Sequence, residues 1–175
     1  MFAQLSALVL LSFAAGPRPA AAPVRQALDD ATIIAIFDAA NTFDIETGKL
    51  GSTKGASKEV RAVGASLVRD HEAVRQQGRD LAKKLGVTPT PPAQNPLGPQ
   101  HVAAMKELKA KQGAAFDLAF LDHEIAYHQA VIDAVTKSFL PAIRNPELKA
   151  FVEKVAPAFQ AHLDMVKAAK AQLAH

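Results

Sequence analysis

Residues 121–128 (LDHEIAYH) hold the densest group of side chains in the chain that could perform chemistry. The stretch is close to HExxH, in which two histidines one helical turn apart bind zinc and the glutamate acts as a base. Here His123 and His128 are five residues apart, which places their rings about 140° apart on a helix, too far to share one ion. Glu124 and His128 are four residues apart and therefore lie on the same helical face, where they can share a ligand.

Two further histidines occupy helical positions where the pattern requires an apolar residue. His71 is in line with the apolar stripe of its segment, and His162 lies within the stripe of another. Buried ionisable groups are costly unless they are paired or bound to metal. His71, His128 and His162 fall near the midpoints of three helical segments, so in an antiparallel bundle they lie at one level. We therefore predict that these three histidines bind a metal ion.

Carboxylates extend the predicted site. Glu124 points to the core one turn from His128, and Asp117 lies about two turns below Glu124 on the same side. In the first helical segment, Asp44 and Glu46 flank the apolar stripe, each about 80° off its centre, so either could reach inward. The predicted ligands are His71, His128, His162, Glu124 and Glu46. The weaker candidates are Asp44 and Asp117, of which Asp117 is better suited to a capping or supporting role.

Imidazole ligands suit zinc, copper, iron and nickel, so the predicted cofactor is a transition metal such as iron, copper or zinc. A b-type haem held by two histidines is a variant of this hypothesis. The alternative is a non-enzymatic envelope stress or interaction module. In that case the buried layer, for example a His71–Glu46 pair, is structural or senses pH. No hydrolase motif is complete and no serine nucleophile is evident, so enzymatic activity is not predicted. His101 is expected at the surface.

Four long amphipathic segments must position these side chains. The predicted helices span about residues 29–54, 57–85, 114–139 and 145–173. Residues typical of helix ends lie at these limits: Asp29 or Asp30, Ser57, Gly86, and Asn145 followed by Pro146. Residues 87–99 (VTPTPPAQNPLGP) form a proline-rich crossing, and a short helix over 101–111 follows it. The sequence therefore predicts an antiparallel four-helix bundle with a short extra helix between the second and third long helices.

Composition limits the class of protein. A chain of 175 residues predicts one domain, here residues 29–174. The sequence contains no cysteine, which excludes disulfides, thiolate metal sites and cysteine nucleophiles. The formal net charge is +3, but acidic and basic residues are interspersed. Because no basic stripe with interleaved aromatic residues is present, nucleic acid is not an expected partner.

The first 22 residues are typical of a signal peptide. The apolar run over residues 3–15 is too short to span a bilayer, and small residues follow it. The run is preceded by no lysine or arginine, and Pro23 follows the three alanines at 20–22, so cleavage after Gly16 is an alternative. We expect a periplasmic or otherwise exported protein, for which peripheral envelope or outer-membrane association is open. No later segment has 18 consecutive apolar residues, so no transmembrane span is predicted.

Four segments resemble the helices of an exported bacterial family known as domain of unknown function 4142, often described as a predicted outer membrane protein. The segments are FDAANTFDIETGKLG, VRAVGASLVRDHEAV, FDLAFLDHEIAYHQAV and VAPAFQAHLDMV. The matching motifs are Glu46, Asp70-His71, Phe116-Asp117, His128, and Pro157 with His162-Leu163. The resemblance covers about residues 29–173. It implies a ferritin-like fold and export, and little about activity.

The metal motif of ferritin-type proteins is missing from these segments. Di-iron centres of that type use Glu-x-x-His motifs. The residues three positions before His71, His128 and His162 are Val68, Ile125 and Phe159. The sequence therefore favours a His-rich site that is mononuclear or loosely coupled, in preference to a carboxylate-rich oxidase centre.

Overall fold

The computed structural model describes residues 28–95 and 97–173, and within these ranges the chain forms helices and no strand. The helices are α1 (Asp30–Lys54), α2 (Lys58–Leu85), α3 (Leu97–Ala110), α4 (Gly113–Ala134), α5 (Leu140–Ala142) and α6 (Pro146–Gln172). A π-helical turn, Val135–Phe139, joins α4 to α5. The predicted all-α class is confirmed, and the structure is a helical bundle. The predicted signal peptide, residues 1–22, lies outside the described residues.

Capping side chains set the start of three long helices. The side chains of Asp29, Ser57 and Asn145 accept hydrogen bonds from backbone N–H groups in the first turns of α1, α2 and α6, as expected of N-caps. α2 ends at Gly86, whose φ of 65° is a left-handed conformation that favours glycine. These boundaries follow from local interactions, which is why the sequence predicts them closely.

Asp30 has a different role from Asp29. Its carboxylate oxygens accept hydrogen bonds from the backbone N–H groups of Arg144 and Asn145, both at 2.9 Å. The start of α1 is thereby joined to the link that precedes α6.

The helix predicted over residues 114–139 is not uniform. The N–H of Leu140 donates to the Val135 carbonyl, five residues earlier, which widens the last turn. Pro141 has no N–H to donate to the Lys137 carbonyl, so the regular helical ladder cannot continue through this point. α3 also differs from the prediction, because it begins at Leu97 rather than His101.

The four long helices pack as neighbouring pairs. α1 contacts α2 most extensively, α4 contacts α6, and smaller contacts join α2 to α6 and α1 to α4. α1 and α2 are antiparallel, since Asp38 bonds Arg79 while Thr42 bonds Arg75. None of the helices that the structure describes combines the length and the apolar character needed to cross a membrane.

The apolar core is divided into two clusters. One contains Ile33, Phe37, Val135, Val152 and Phe159, and the other contains Val60, Leu67, Phe116, Phe120 and Val166. On each long helix the two clusters occupy opposite ends, and buried polar residues lie between them. We call these residues the polar layer: Asn41, Asp44, His71, Glu124, His128 and His162.

Candidate metal centre

Three buried histidines from α2, α4 and α6 meet in the polar layer. The ring centroids of His71 and His162 are 4.9 Å apart, those of His128 and His162 5.5 Å, and those of His71 and His128 5.7 Å. One nitrogen of each ring lies within 4.8 Å of the corresponding nitrogen on the other two. The structure thus brings together the three histidines that the sequence placed at one level. Their role as metal ligands stays a prediction.

The outer nitrogens of His128 and His71 are both hydrogen-bond donors. His128 Nδ1 lies 2.9 Å from the Glu124 carbonyl oxygen, which can only accept, so Nδ1 carries a proton. His71 Nδ1 lies 2.9 Å from Asn41 Oδ1. Because Asn41 Nδ2 donates to the Phe37 carbonyl at 2.8 Å, the amide presents its oxygen to the ring. His71 Nδ1 must therefore donate as well.

The outer nitrogen of His162 meets a carboxylate. His162 Nε2 lies 3.2 Å from Asp70 Oδ2, and Arg69 binds the same carboxylate at 2.8 Å. Although partial burial opposes the effect, the bonds from Arg69 and His162 lower the pKa of Asp70. The ionised carboxylate accepts the His162 Nε2 proton, which leaves Nδ1 unprotonated when the ring is neutral.

The inner nitrogens consequently face one another across the polar layer. Burial holds the pKa of His71 well below its ordinary value and lowers the pKa of His128 to about 4, so both rings are neutral at pH 7. His71 Nε2 and His162 Nδ1 are 3.1 Å apart. His128 Nε2 has no hydrogen-bond partner among the described residues. A cation between these nitrogens would satisfy all three, in the arrangement typical of metal-bound histidines, whose second ring nitrogen donates to an oxygen.

Asp44 is the carboxylate that reaches the histidines. Its Oδ2 lies 3.0 Å from His71 Nε2 and 3.4 Å from His128 Nε2. Burial, together with the neighbouring Glu124, raises the pKa of Asp44 well above its ordinary value. Without a cation the protonated form of this carboxyl is therefore favoured, whereas a bound cation would favour the carboxylate. We call His71, His128, His162 and Asp44 the candidate centre.

Glu46, the alternative to Asp44, points away from the candidate centre. Its side chain is 51% exposed, and its Oε2 lies 2.7 Å from His101 Nε2. The suggested His71–Glu46 pair is not formed. The expectation that His101 lies at the surface is wrong, because its ring is buried and stacks on Phe43 at 4.4 Å. The cause is α3, which packs against α1 and α4 and places His101 over α1.

Glu124 is inside the bundle, as predicted. It is fully buried, and neither of its carboxylate oxygens has a hydrogen-bond partner among the described residues. Its Oε2 is 3.6 Å from His128 Nδ1, and burial raises its pKa to about 7. With Asp44 and His128 it forms a second group of potential ligand atoms within 4.8 Å of one another.

Asp117 serves the link between α1 and α2. Its two oxygens accept hydrogen bonds from the backbone N–H groups of Ala56 and Ser57, at 2.8 and 2.7 Å. This is the capping role that the sequence favoured for Asp117, and the structure does not bring it to the histidines.

Two supporting residues were missed by sequence reasoning. Asn41 lies one turn before Asp44 on α1, and its side chain accepts from His71. Asp70 is partly exposed at the flank of α2, yet it contacts His162 of α6. The only signal was their spacing from Asp44 and His71, and a spacing cannot identify a partner on another helix.

Comparison with known proteins identifies the family. The model of a family described as Domain of unknown function (DUF4142) matches residues 15–169, which include every residue of the candidate centre. Comparisons with curated proteins and with solved structures gave no significant match. The resemblance seen in the four helical segments is confirmed, and the chain belongs to the DUF4142 family.

Proposed function

We propose that this protein binds a transition-metal ion at the candidate centre, for metal binding, storage or redox chemistry. The observation that carries the proposal is the protonation pattern of the histidines. The outer nitrogen of each ring faces an oxygen that can accept its proton, and the three inner nitrogens converge beside a buried carboxylate. Three imidazoles and one carboxylate form a ligand set that suits zinc, iron or copper. Glu124 is near enough to Asp44 and His128 to act as a further oxygen ligand or as a supporting group.

We also propose that the long helices form an antiparallel four-helix, ferritin-like bundle within a single domain, residues 29–174. The contacts between neighbouring helices support this arrangement. Asp122 pairs with Lys170 while His128 contacts His162, so residue numbers rise on α4 as they fall on α6. The α1–α4 pair behaves likewise, because Tyr127 donates to the Ala40 carbonyl and Asp117 binds Ala56.

Export to the periplasm, with peripheral envelope association, is part of the same proposal. It rests on the signal-like composition of residues 1–22. Fractionation of cells followed by N-terminal sequencing of the mature chain tests it. Recovery of an uncleaved chain from the cytosol would contradict it.

Metal retention by the purified protein is the decisive test. Wild-type protein from metal-supplemented cultures should retain about one ion per chain, as a single set of convergent ligands implies. The triple variant His71→Ala, His128→Ala, His162→Ala should retain none. His101→Ala is the matched control, because it removes a buried histidine outside the candidate centre. If wild-type protein carries no metal and its melting temperature is unchanged by chelators, the proposal is wrong.

The second candidate function is a metal-free polar layer that is structural or senses pH in an envelope stress or interaction module. The raised pKa of Glu124, about 7, favours it, because a carboxyl that titrates near neutrality can respond to physiological pH. This function requires pH-dependent stability together with no response to metal. The metal-retention experiment therefore separates the two candidates.

A further inference from the structure

A cavity of about 340 Å³ reaches the candidate centre from the side of α1, α3 and α4. Asp44, His71 and His128 line its polar part, and most of the remaining lining is apolar. Its volume lies at the small end of the range of ligand sites, about 300–1,000 Å³. Concave, largely apolar cavities with a few convergent polar groups are where small molecules bind.

The polar groups at the centre are not satisfied by the protein alone. Asp44 Oδ1 and His128 Nε2 have no hydrogen-bond partner among the described residues, although the side chains are 2% and 1% exposed. Both residues line the cavity and both belong to the candidate centre. A molecule in the cavity could therefore place a donor atom on the ion that these residues hold.

Small side chains create the space. The cavity is lined by five alanines, Ala40, Ala104, Ala126, Ala130 and Ala134, with aromatic rings such as Phe139 and Phe159 among its other walls. Ala126 and Ala130 are exposed, so the cavity opens to solvent along α4. The described lining contains no lysine or arginine, and its polar side chains away from the polar layer include Gln100, His101 and His123.

We propose that the cavity binds a small amphiphile, a medium-chain monocarboxylate, whose carboxylate binds the metal ion and whose apolar tail fills the space between α1, α3 and α4. The inference rests on the proposed metal site and names the class of ligand for it. A carboxylate supplies the oxygen donor that zinc and iron accept. The tail supplies the apolar surface that the alanine and phenylalanine lining would bury.

The test uses protein loaded with cobalt(II), whose visible bands report changes in its ligands. Acetate, butanoate, hexanoate and octanoate are titrated in turn. Each added methylene that enters the cavity should tighten binding by up to about fourfold, so octanoate should bind far more tightly than acetate. Metal-free protein should bind octanoate at least tenfold more weakly, as measured by calorimetry, because the head then lacks the ion.

A matched pair of variants on α3 locates the tail. Ala104→Leu narrows the cavity and should remove the preference for octanoate, whereas Ala103→Leu, on the exposed face of the same helix, should keep it. If no cobalt binds, the metal site itself fails. If cobalt binds but acetate and octanoate shift its bands at equal concentrations, or if Ala104→Leu has no effect, the metal site stands and the proposed ligand class is wrong.

Discussion

Each histidine of the candidate centre has an oxygen opposite its outer nitrogen that can accept a proton from the ring. The three acceptors differ in kind: an amide oxygen of Asn41, a carboxylate oxygen of Asp70, and the backbone carbonyl of Glu124. Such acceptors fix the tautomer and the ring orientation of a metal-binding histidine. The centre therefore depends on residues that would not themselves contact the ion.

Whether Asp44 or Glu46 supplies the carboxylate ligand can be measured directly. Asp44→Asn replaces the carboxylate beside His71 with a neutral amide of similar size, and zinc affinity should fall by about 100-fold or more, since even supporting residues contribute 10- to 100-fold. Glu46→Gln changes a half-exposed side chain bound to His101 and should leave zinc affinity unchanged. Competitive titration against a chelator measures both. Equal losses in the two variants would contradict the assignment.

Glu124 should make the metal-free protein less stable as pH rises. Its pKa is raised from 4.5 to about 7 in the folded chain, so the folded state holds the proton more tightly than the unfolded state. Its contribution to stability is complete below pH 4.5 and is lost as pH rises through 7. Glu124→Gln mimics the protonated form. The free energy of unfolding of the variant should therefore rise relative to that of wild type by on the order of 2 kcal/mol as the pH increases from 5 to 8.

Urea unfolding in the presence of a chelator measures this difference. Glu72→Gln, which alters an exposed glutamate paired with Lys49, is the control and should show little pH-dependent gain. A gain for Glu124→Gln that does not grow with pH would show that the carboxyl is already ionised inside the bundle.

At the scale of elements, the α1–α2 pair depends on glycines that let the two backbones approach. A Cβ added at Gly64 would lie 2.5 Å from the Gly48 carbonyl oxygen and closer still to the Ser52 nitrogen. These are backbone atoms that cannot rotate away. The close approach places Asp44 of α1 opposite His71 of α2, so it also positions the candidate centre.

Two glycine substitutions on α2 test this packing. Gly64→Ala should destabilise the protein by about 1–3 kcal/mol or more, because overpacking forces the backbones apart. Gly78→Ala is the matched control, since the nearest atoms to its added Cβ would be in the rings of Phe37 and Phe151, at 3.5–3.7 Å. Alanine favours helix by about 1 kcal/mol over glycine, so this variant should be neutral or more stable. Thermal melts compare them, and similar melting temperatures would contradict the close-packing account.

At the scale of the molecule, the candidate centre joins helices that are distant in sequence. Asp44, His71, His128 and His162 come from α1, α2, α4 and α6, and they lie between the two apolar clusters. The unfolded chain does not hold these side chains together. Metal binding should therefore stabilise the folded state and connect both halves of the core.

Zinc should raise the melting temperature of wild-type protein. At a free concentration 100 times Kd the stabilisation is about 2.7 kcal/mol, which for a domain of this size corresponds to roughly 5–10 °C. The triple histidine variant should show no shift, and His101→Ala should show the wild-type shift. Scanning calorimetry with and without zinc makes the comparison, and an unchanged wild-type melting temperature would contradict the proposed site.

The sequence by itself determined the helices and the level of the histidines. Helix caps act within one helix, as at Asp29, Ser57 and Asn145. The apolar periodicity that places His71, His128 and His162 on inward faces also belongs to single helices. Both can therefore be recognised without knowing which helices pack together. The boundary errors lie at α3 and at the π-helical turn, where the chain departs from a regular helix.

Only the tertiary structure decided which carboxylate meets the histidines. Asp44 and Glu46 flank the apolar stripe of α1 almost equally, and the packing of the helices turns Asp44 toward His71 and His128 while Glu46 meets His101 of α3. The tautomers likewise depend on Asn41 and Asp70, which contact histidines of other helices. The physical reason is that periodicity gives the direction of each side chain around its own helix axis. Which residue that side chain contacts depends on how a second helix is rotated and shifted relative to the first.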